Sequence, residues 1–228
     1  MQEFDRPVGN RLDGRINQEN LPSAIFPERG FCTMFGKGFH EKKEYITKIA
    51  IEVFFAKGYK ASSLQDISAK GKISKAGIYH YYKSKGDILS YMMVGCAEGI
   101  IDALTQCLRT AEEKKLNPKE SFEVLCKAYA RYLLRNRKLS LLVLRDRHQL
   151  PEKDKKKLIE KERAIFQLLR SKVREIPNIN SEIDINLMSF QIISMTHWMG
   201  YWFDSKGSLS ESDAIDQMVD IIFNGILD

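Results

Sequence analysis

Catalytic signatures are missing from this 228-residue chain. It has no GxSxG elbow, no P-loop, no HExxH and no GxGxxG following a strand, and its four histidines (His40, His80, His148, His197) are far apart. Each of those motifs places a nucleophile, a phosphate cradle or a metal on a defined local scaffold, so the expectation is a protein that is not an enzyme. Cysteine is scarce and scattered: Cys32, Cys96, Cys107 and Cys126 form no CxxC pair. That spacing suits neither a zinc site nor a disulfide framework, and reduced thiols with no metal and no cofactor are expected. No uninterrupted apolar run approaches the roughly 18 residues of a membrane span. Charged residues make up 29% of the chain, and no leader-like apolar stretch opens it. A cytoplasmic protein without membrane contact is therefore expected. Convincing strand alternation, internal repeats and low-complexity tracts are also absent, which leaves an all-α reading.

What the chain does have is a localised positive charge. Its net charge is +6, and residues 41–90 hold ten lysines against five acids. That segment is +5, which leaves +1 for the other 178 residues. A basic segment on a near-neutral body is the electrostatic footprint of nucleic-acid binding, although a lysine-rich solvated face has the same composition.

Three stretches follow one another along the chain. Residues 1–40 are rich in Gly and Pro without a sustained period, and a loose or disordered extension is expected there. Met34, just ahead of the periodic region, is a candidate biological start. Residues 41–86 contain three short helices. Ile46, Ile49, Ala50, Val53 and Phe54 form one stripe, Gly58 ends it, Ser62 or Ser63 caps the next helix with Asp66 at N3, and Ser74 caps a third. Residues 87–228 continue as longer helices. The fourth opens at Ser84 with Asp87 as a capping-box partner and runs towards Thr110. Asn117-Pro118 begins the next, and Pro151 opens a charged one ended by Pro177. Two apolar helices, near 182–203 and 211–227, finish the chain. About nine helices are expected.

Residues 58–89 read as two short helices joined by a tight turn, the second dense in Lys, Tyr and His. This pattern resembles the DNA-binding domain of the TetR family of bacterial transcriptional repressors. The matching elements are Gly58-Tyr59, Ser62-Ser63, Asp66-Ile67-Ser68, Ile73-Ser74, Tyr79-His80-Tyr81-Tyr82 and Ser84-Lys85-Gly86-Asp87-Ile88-Leu89. The resemblance implies an N-terminal three-helix helix-turn-helix domain, joined by a long fourth helix to a C-terminal helical ligand-binding and dimerisation domain. One position departs from the family pattern: the turn reads Gly71-Lys72-Ile73-Ser74, with Lys72 where glycine usually eases a left-handed backbone. Either Gly71 lets the turn adjust, or Lys72 bears the strain and gains a phosphate contact.

Side-chain chemistry then assigns roles. Lys75, Ala76 and Gly77 open the recognition helix, where Lys75 can donate to guanine and the two small residues allow close approach. Tyr79, His80 and Tyr81 suit contacts to phosphate or thymine methyls, whereas Tyr82 suits the core. Ser62, Ser63, Gln65, Lys72 and Ser74 are candidates for the adjoining backbone. Lys85, in the first turn of the fourth helix, is expected to hold a phosphate.

One recognition helix reads only a few base pairs, so a homodimer on a palindromic double-stranded operator is expected. Trp198 and Trp202 on one C-terminal helix, and Ile215, Met218 and Ile222 on the other, are the candidate dimer surface. The family resemblance further implies a cavity for a small-molecule effector. The C-terminal segment Trp198-Met199-Gly200-Tyr201-Trp202 is similar to regulators of fatty-acid, sterol or aromatic-acid breakdown, many of which sense acyl-CoA. Candidate lining residues are Cys96, Tyr129, Leu133, Leu142, Phe166, Leu169, Ile192 and Met195. Arg145, Arg147 and His148 are either cations at its mouth or a solvated loop. A ligand-binding protein that has lost DNA binding conflicts with the lysine-rich third helix, and an activator is as compatible as a repressor.

Overall fold

The structure, a computed structural model, describes residues 39–179 and 182–226. The expected loose segment 1–40, with Cys32 and the candidate start Met34, lies outside these residues except for Phe39 and His40, which open the first helix. Among the described residues there are nine α-helices and one short 3-10 turn. They are α1 (Phe39–Lys57), α2 (Leu64–Gly71), α3 (Lys75–Tyr79), α4 (Lys85–Glu113), α5 (Pro118–Arg135), α6 (Arg137–Asp146), α7 (Glu152–Arg174), α8 (Ile185–Trp202) and α9 (Glu211–Ile226).

The three N-terminal helices close on one another through the expected α1 stripe. Ile46, Ala50, Val53 and Phe54 are buried with Ile67 of α2 and Ile78 of α3. Gly58 stops α1 at φ 82, and its amide returns to the Phe54 carbonyl at 2.9 Å. Only glycine adopts that left-handed backbone without a Cβ penalty.

Helix α4 is the spine of the molecule and packs on α5 and α7 as well as on α1. By length and composition alone it could cross a membrane. Its apolar positions are instead the core: Ile88, Leu89, Met92, Met93, Ile100 and Leu104 are all buried. The α4–α5 approach is close at Gly99, where an added Cβ would sit 2.0 Å from the Tyr132 hydroxyl oxygen. Ser84 caps α4 by accepting from the Asp87 amide at 3.1 Å. The expected reciprocal capping box does not close, because the Asp87 carboxylate accepts from the Lys83 amide at 2.9 Å. At α5 the box is complete, with Asn117 and Glu120 each accepting from the other's amide at 3.0 Å. Cys96, Cys107 and Cys126 are free and buried in this body. Burial pushes the Cys96 and Cys107 thiols up to about 12, which leaves them unreactive.

Candidate nucleic-acid interface and effector cavity

The α2–turn–α3 unit is fixed by caps at both helix starts. Ser63 resolves the choice between the two serines. Its hydroxyl accepts from the Asp66 amide at 3.2 Å, and the Asp66 carboxylate accepts from the Ser63 amide at 2.8 Å. Lys57 bonds the same carboxylate, and these donors hold its pKa down to about 2. Ser62 is buried, with its hydroxyl donating to the Tyr59 carbonyl at 2.7 Å, so its expected role on the DNA backbone is corrected to a structural one.

The turn keeps its left-handed residue. Lys72 has φ 50 and ψ 41, and its amide returns to the Ala69 carbonyl at 3.4 Å. Gly71 does not adjust. It remains in α2, buried, where an added Cβ would be 3.1 Å from Ile73 Cδ1. Lys72 therefore carries a backbone cost of about 1 kcal/mol and projects from an exposed position.

Ser74 caps α3 and accepts from the Gly77 amide at 3.0 Å. Anchored behind by buried Ile78, α3 exposes Lys75, Ala76, Tyr79 and His80. Tyr79 is 55% exposed. Tyr82 is 3% exposed and shares a 2.6 Å hydrogen bond with Thr47, as a core tyrosine would. Tyr81 is half-buried and meets His80 edge-on at 4.9 Å. Gly77 is half-buried, and a Cβ there would be 3.1 Å from Ile73 Cγ2. Gln65 is exposed on α2.

Lys85 departs most from expectation. Its ammonium donates to the carbonyls of Tyr59 at 2.7 Å, Ser62 at 2.6 Å and Lys60 at 3.4 Å, and lies 4.4 Å from the Tyr59 ring centroid. Two short bonds and a longer third draw the ammonium onto the protein's own carbonyls. The phosphate role is corrected to that of a strut joining the start of α4 to the α1–α2 turn, with burial lowering the ammonium pKa.

In the C-terminal body a cavity of about 250 Å³ lies between α4, α5, α6, α7 and α8. Of the expected lining residues, Cys96, Tyr129, Leu133 and Phe166 reach it. Leu142, Leu169 and Ile192 are corrected to buried core, and Met195 packs against that core outside the lining. The basic cluster is split. Arg145 turns away from the cavity to the end of α1, donating to the Phe54 carbonyl at 2.8 Å. Arg147 lines the cavity and bonds Glu162, also a lining residue, at 2.7 Å. His148 is exposed.

Two lining features escaped the sequence reading. Phe190 of α8, 56% exposed, stacks on Phe166 with ring centroids 4.4 Å apart and forms part of the cavity wall at the surface. His197, a lone histidine on an apolar helix, shares a 2.8 Å hydrogen bond between its Nε2 and the hydroxyl of buried Tyr129. Burial lowers His197 to about 4, so the imidazole is neutral.

The expected dimer surface is half corrected. Trp198 and Trp202 are 62% and 54% exposed, whereas Ile215, Met218 and Ile222 are buried against this chain's own core. The outward apolar residues of the last two helices also include Leu187 and Tyr201 on α8 and Ile221 on α9.

Two family profiles match the chain. One, described as bacterial regulatory proteins of the tetR family, matches residues 46–92. The other, described as a tetracyclin repressor-like C-terminal domain, matches residues 115–226. The HTH-type transcriptional repressor KstR2 of Mycolicibacterium smegmatis is 23% identical over 193 residues, 81% of this chain and 90% of its own length. The uncharacterised HTH-type regulator YuxN of Bacillus subtilis is 40% identical over 53 residues, and the match covers 23% of this chain and 18% of YuxN. Among solved structures, the TetR family regulator PfmR of Thermus thermophilus superposes with a TM-score of 0.70 at 27% identity, covering 78% of this chain and 97% of PfmR. AibR, solved with isovaleryl coenzyme A and operator DNA, superposes with a TM-score of 0.70 at 19% identity, covering 80% of this chain and 98% of AibR. With a capped helix-turn-helix at one end, a cavity-bearing helical body at the other and both regions matched in order, the chain belongs to the TetR family of transcriptional regulators.

Proposed function

We propose that this chain is a cytoplasmic, homodimeric repressor that binds a palindromic operator and is released by a small hydrophobic or acyl-CoA-type effector. The observation that carries this reading is the outward row Lys75, Ala76 and Tyr79 along α3, with His80 at its C-cap, backed by buried Ile78. A recognition helix enters the major groove N-terminus first, so these side chains meet the base edges. Lys75 supplies the donor suited to guanine O6 and N7, and the exposed Lys72 and Gln65 are assigned to phosphates.

In the repressing state the two α3 helices lie about one helical turn of DNA apart, roughly 34–36 Å. Helix α4 leads from the DNA-binding helices into the cavity wall, which Met93, Cys96, Ala97 and Ile100 help to build. An effector that fills the cavity biases the tilt of α4 and spoils that spacing. It needs to prefer the released state by only a few kcal/mol.

A gel-shift against the DNA upstream of the protein's own gene tests the reading. Lys75→Ala is expected to lose about 1–3 kcal/mol of discrimination at one base pair while non-specific binding persists. Unchanged base preference in that variant would remove α3 from the operator.

A further inference from the structure

The cavity that the preceding reading assigns to an effector has an uneven polar lining. Its walls are mainly apolar side chains from α4 to α8. Its charged groups, Arg147 and Glu162, are bonded to each other at 2.7 Å. The Ser140 hydroxyl is engaged with the Asn136 carbonyl at 3.2 Å. What remains is the Tyr129–His197 pair. A neutral imidazole and a phenol hold one N–H and one O–H between them, and their mutual bond uses one of the two. If Nε2–H donates to the phenol oxygen, the Tyr129 O–H is left to donate. In the other tautomer the phenol oxygen keeps acceptor capacity.

We infer that the cavity takes an uncharged, largely apolar molecule whose single carbonyl or hydroxyl oxygen bonds the Tyr129–His197 pair. This rests on the effector reading above and narrows it against a charged headgroup within the cavity. Three observations carry it. A carboxylate or phosphate would find its cation, Arg147, already neutralised by Glu162. Displacing that pair would leave a carboxylate facing the ligand's own negative charge. The volume also limits the ligand: about 250 Å³ lies below the roughly 300–1,000 Å³ of pockets that enclose a drug-sized molecule, so a small one is favoured. Such a space does not enclose a molecule the size of coenzyme A, whose nucleotide would have to lie outside the lining. Finally, burial keeps His197 neutral, so the pair offers a dipole and not a charge.

The test uses three eight-carbon probes on the full chain: octan-2-one, octanoate and octanoyl-coenzyme A, each titrated by calorimetry at pH 7. Octan-2-one is expected to bind at least tenfold tighter than octanoate and no more weakly than octanoyl-coenzyme A. Tyr129→Phe, which keeps the ring, should weaken the ketone about tenfold while leaving the melting temperature within a few degrees. If that variant unfolds, His197→Phe tests the same bond from the other side, with the same loss expected. Tightest binding by octanoate or octanoyl-coenzyme A would overturn the inference and leave the effector reading standing. Undiminished ketone binding in the folded variant would also overturn it. Failure of all three probes would overturn both.

Discussion

At the residue scale, Lys85 shows how side-chain chemistry and side-chain placement separate. A lysine in the first turn of a helix next to a recognition unit reads as a phosphate ligand, and its sequence context offers nothing else. Placement depends on where the α1–α2 turn folds back, and that is a long-range fact: Lys85 meets the Tyr59 carbonyl across 26 positions of chain. Lys85→Met is expected to cost about 1–3 kcal/mol of stability, since three carbonyls lose a charged donor. It should leave the salt dependence of DNA binding unchanged, whereas loss of one phosphate contact would lower the slope by about 0.9. A flattened salt slope with unchanged urea stability would return Lys85 to the DNA. His197 supplies a second residue-scale test. Its ordinary value of 6.5 is lowered to about 4 by burial, so on acidification the unfolded chain binds a proton first. Its contribution is complete above pH 6.5 and declines as pH falls towards 4. Between pH 7 and pH 5 the wild type should lose about 2 kcal/mol more than His197→Gln in urea titrations. Parallel pH profiles for the two proteins would mean that the imidazole is already wet.

At the scale of elements, legibility followed how much of the periphery of a helix is polar. In α1 and α2 one stripe is apolar and the caps are local, so Ile46, Phe54, Ile67 and Asp66 at N3 could be read directly, while the choice between Ser62 and Ser63 as the cap needed the structure. Helices α8 and α9 are apolar over wide arcs, and periodicity cannot say which arc meets the chain's own core. Thus Ile215, Met218 and Ile222 read as an interface yet face inward, while Ile221 faces out. Helix α6 also depended on tertiary placement. Its Arg145 joins the Phe54 carbonyl in the last turn of α1, and its Lys138 pairs with Glu52 of α1 at 2.6 Å. From the same helix, Ser140, Val143 and Leu144 line the cavity. A cation at the negative end of α1 adds a favourable dipole contact to the hydrogen bond. Because α6 touches both regions, Arg145→Ala should loosen the DNA-binding helices on the body. Spin labels at exposed Ala69 in the two subunits would report a broader inter-subunit distance distribution in that variant. A width equal to the wild type would show that α4 alone fixes the orientation.

The whole molecule presents an apolar face that its own core does not use. Leu187, Trp198, Tyr201 and Trp202 on α8 and Ile221 on α9 all point outward, and the Trp198 and Tyr201 rings lie 4.9 Å apart. Aromatic residues cover on the order of 150–250 Å² each when fully buried, and Trp198, Tyr201 and Trp202 leave about half of theirs in water, area that a second surface could bury. The homodimer proposed above would cover this face, because a two-fold axis through α8 and α9 would present the same residues to one another. It would also set two α3 helices on one side, as a palindromic operator requires. Trp198→Glu places a charge within this surface, where burial without a partner costs several kcal/mol. Light scattering should then report the 26.3 kDa chain in place of twice that mass. Specific DNA affinity should fall by at least about 100-fold, since each half-site would bind without the other. The isolated α2–α3 unit is untouched by the change, so weak, salt-sensitive binding to any duplex should persist. A dimer that survives both Trp198→Glu and Ile221→Lys would locate the subunit contact elsewhere, and the spacing of the two recognition helices would then have to be set by a different surface.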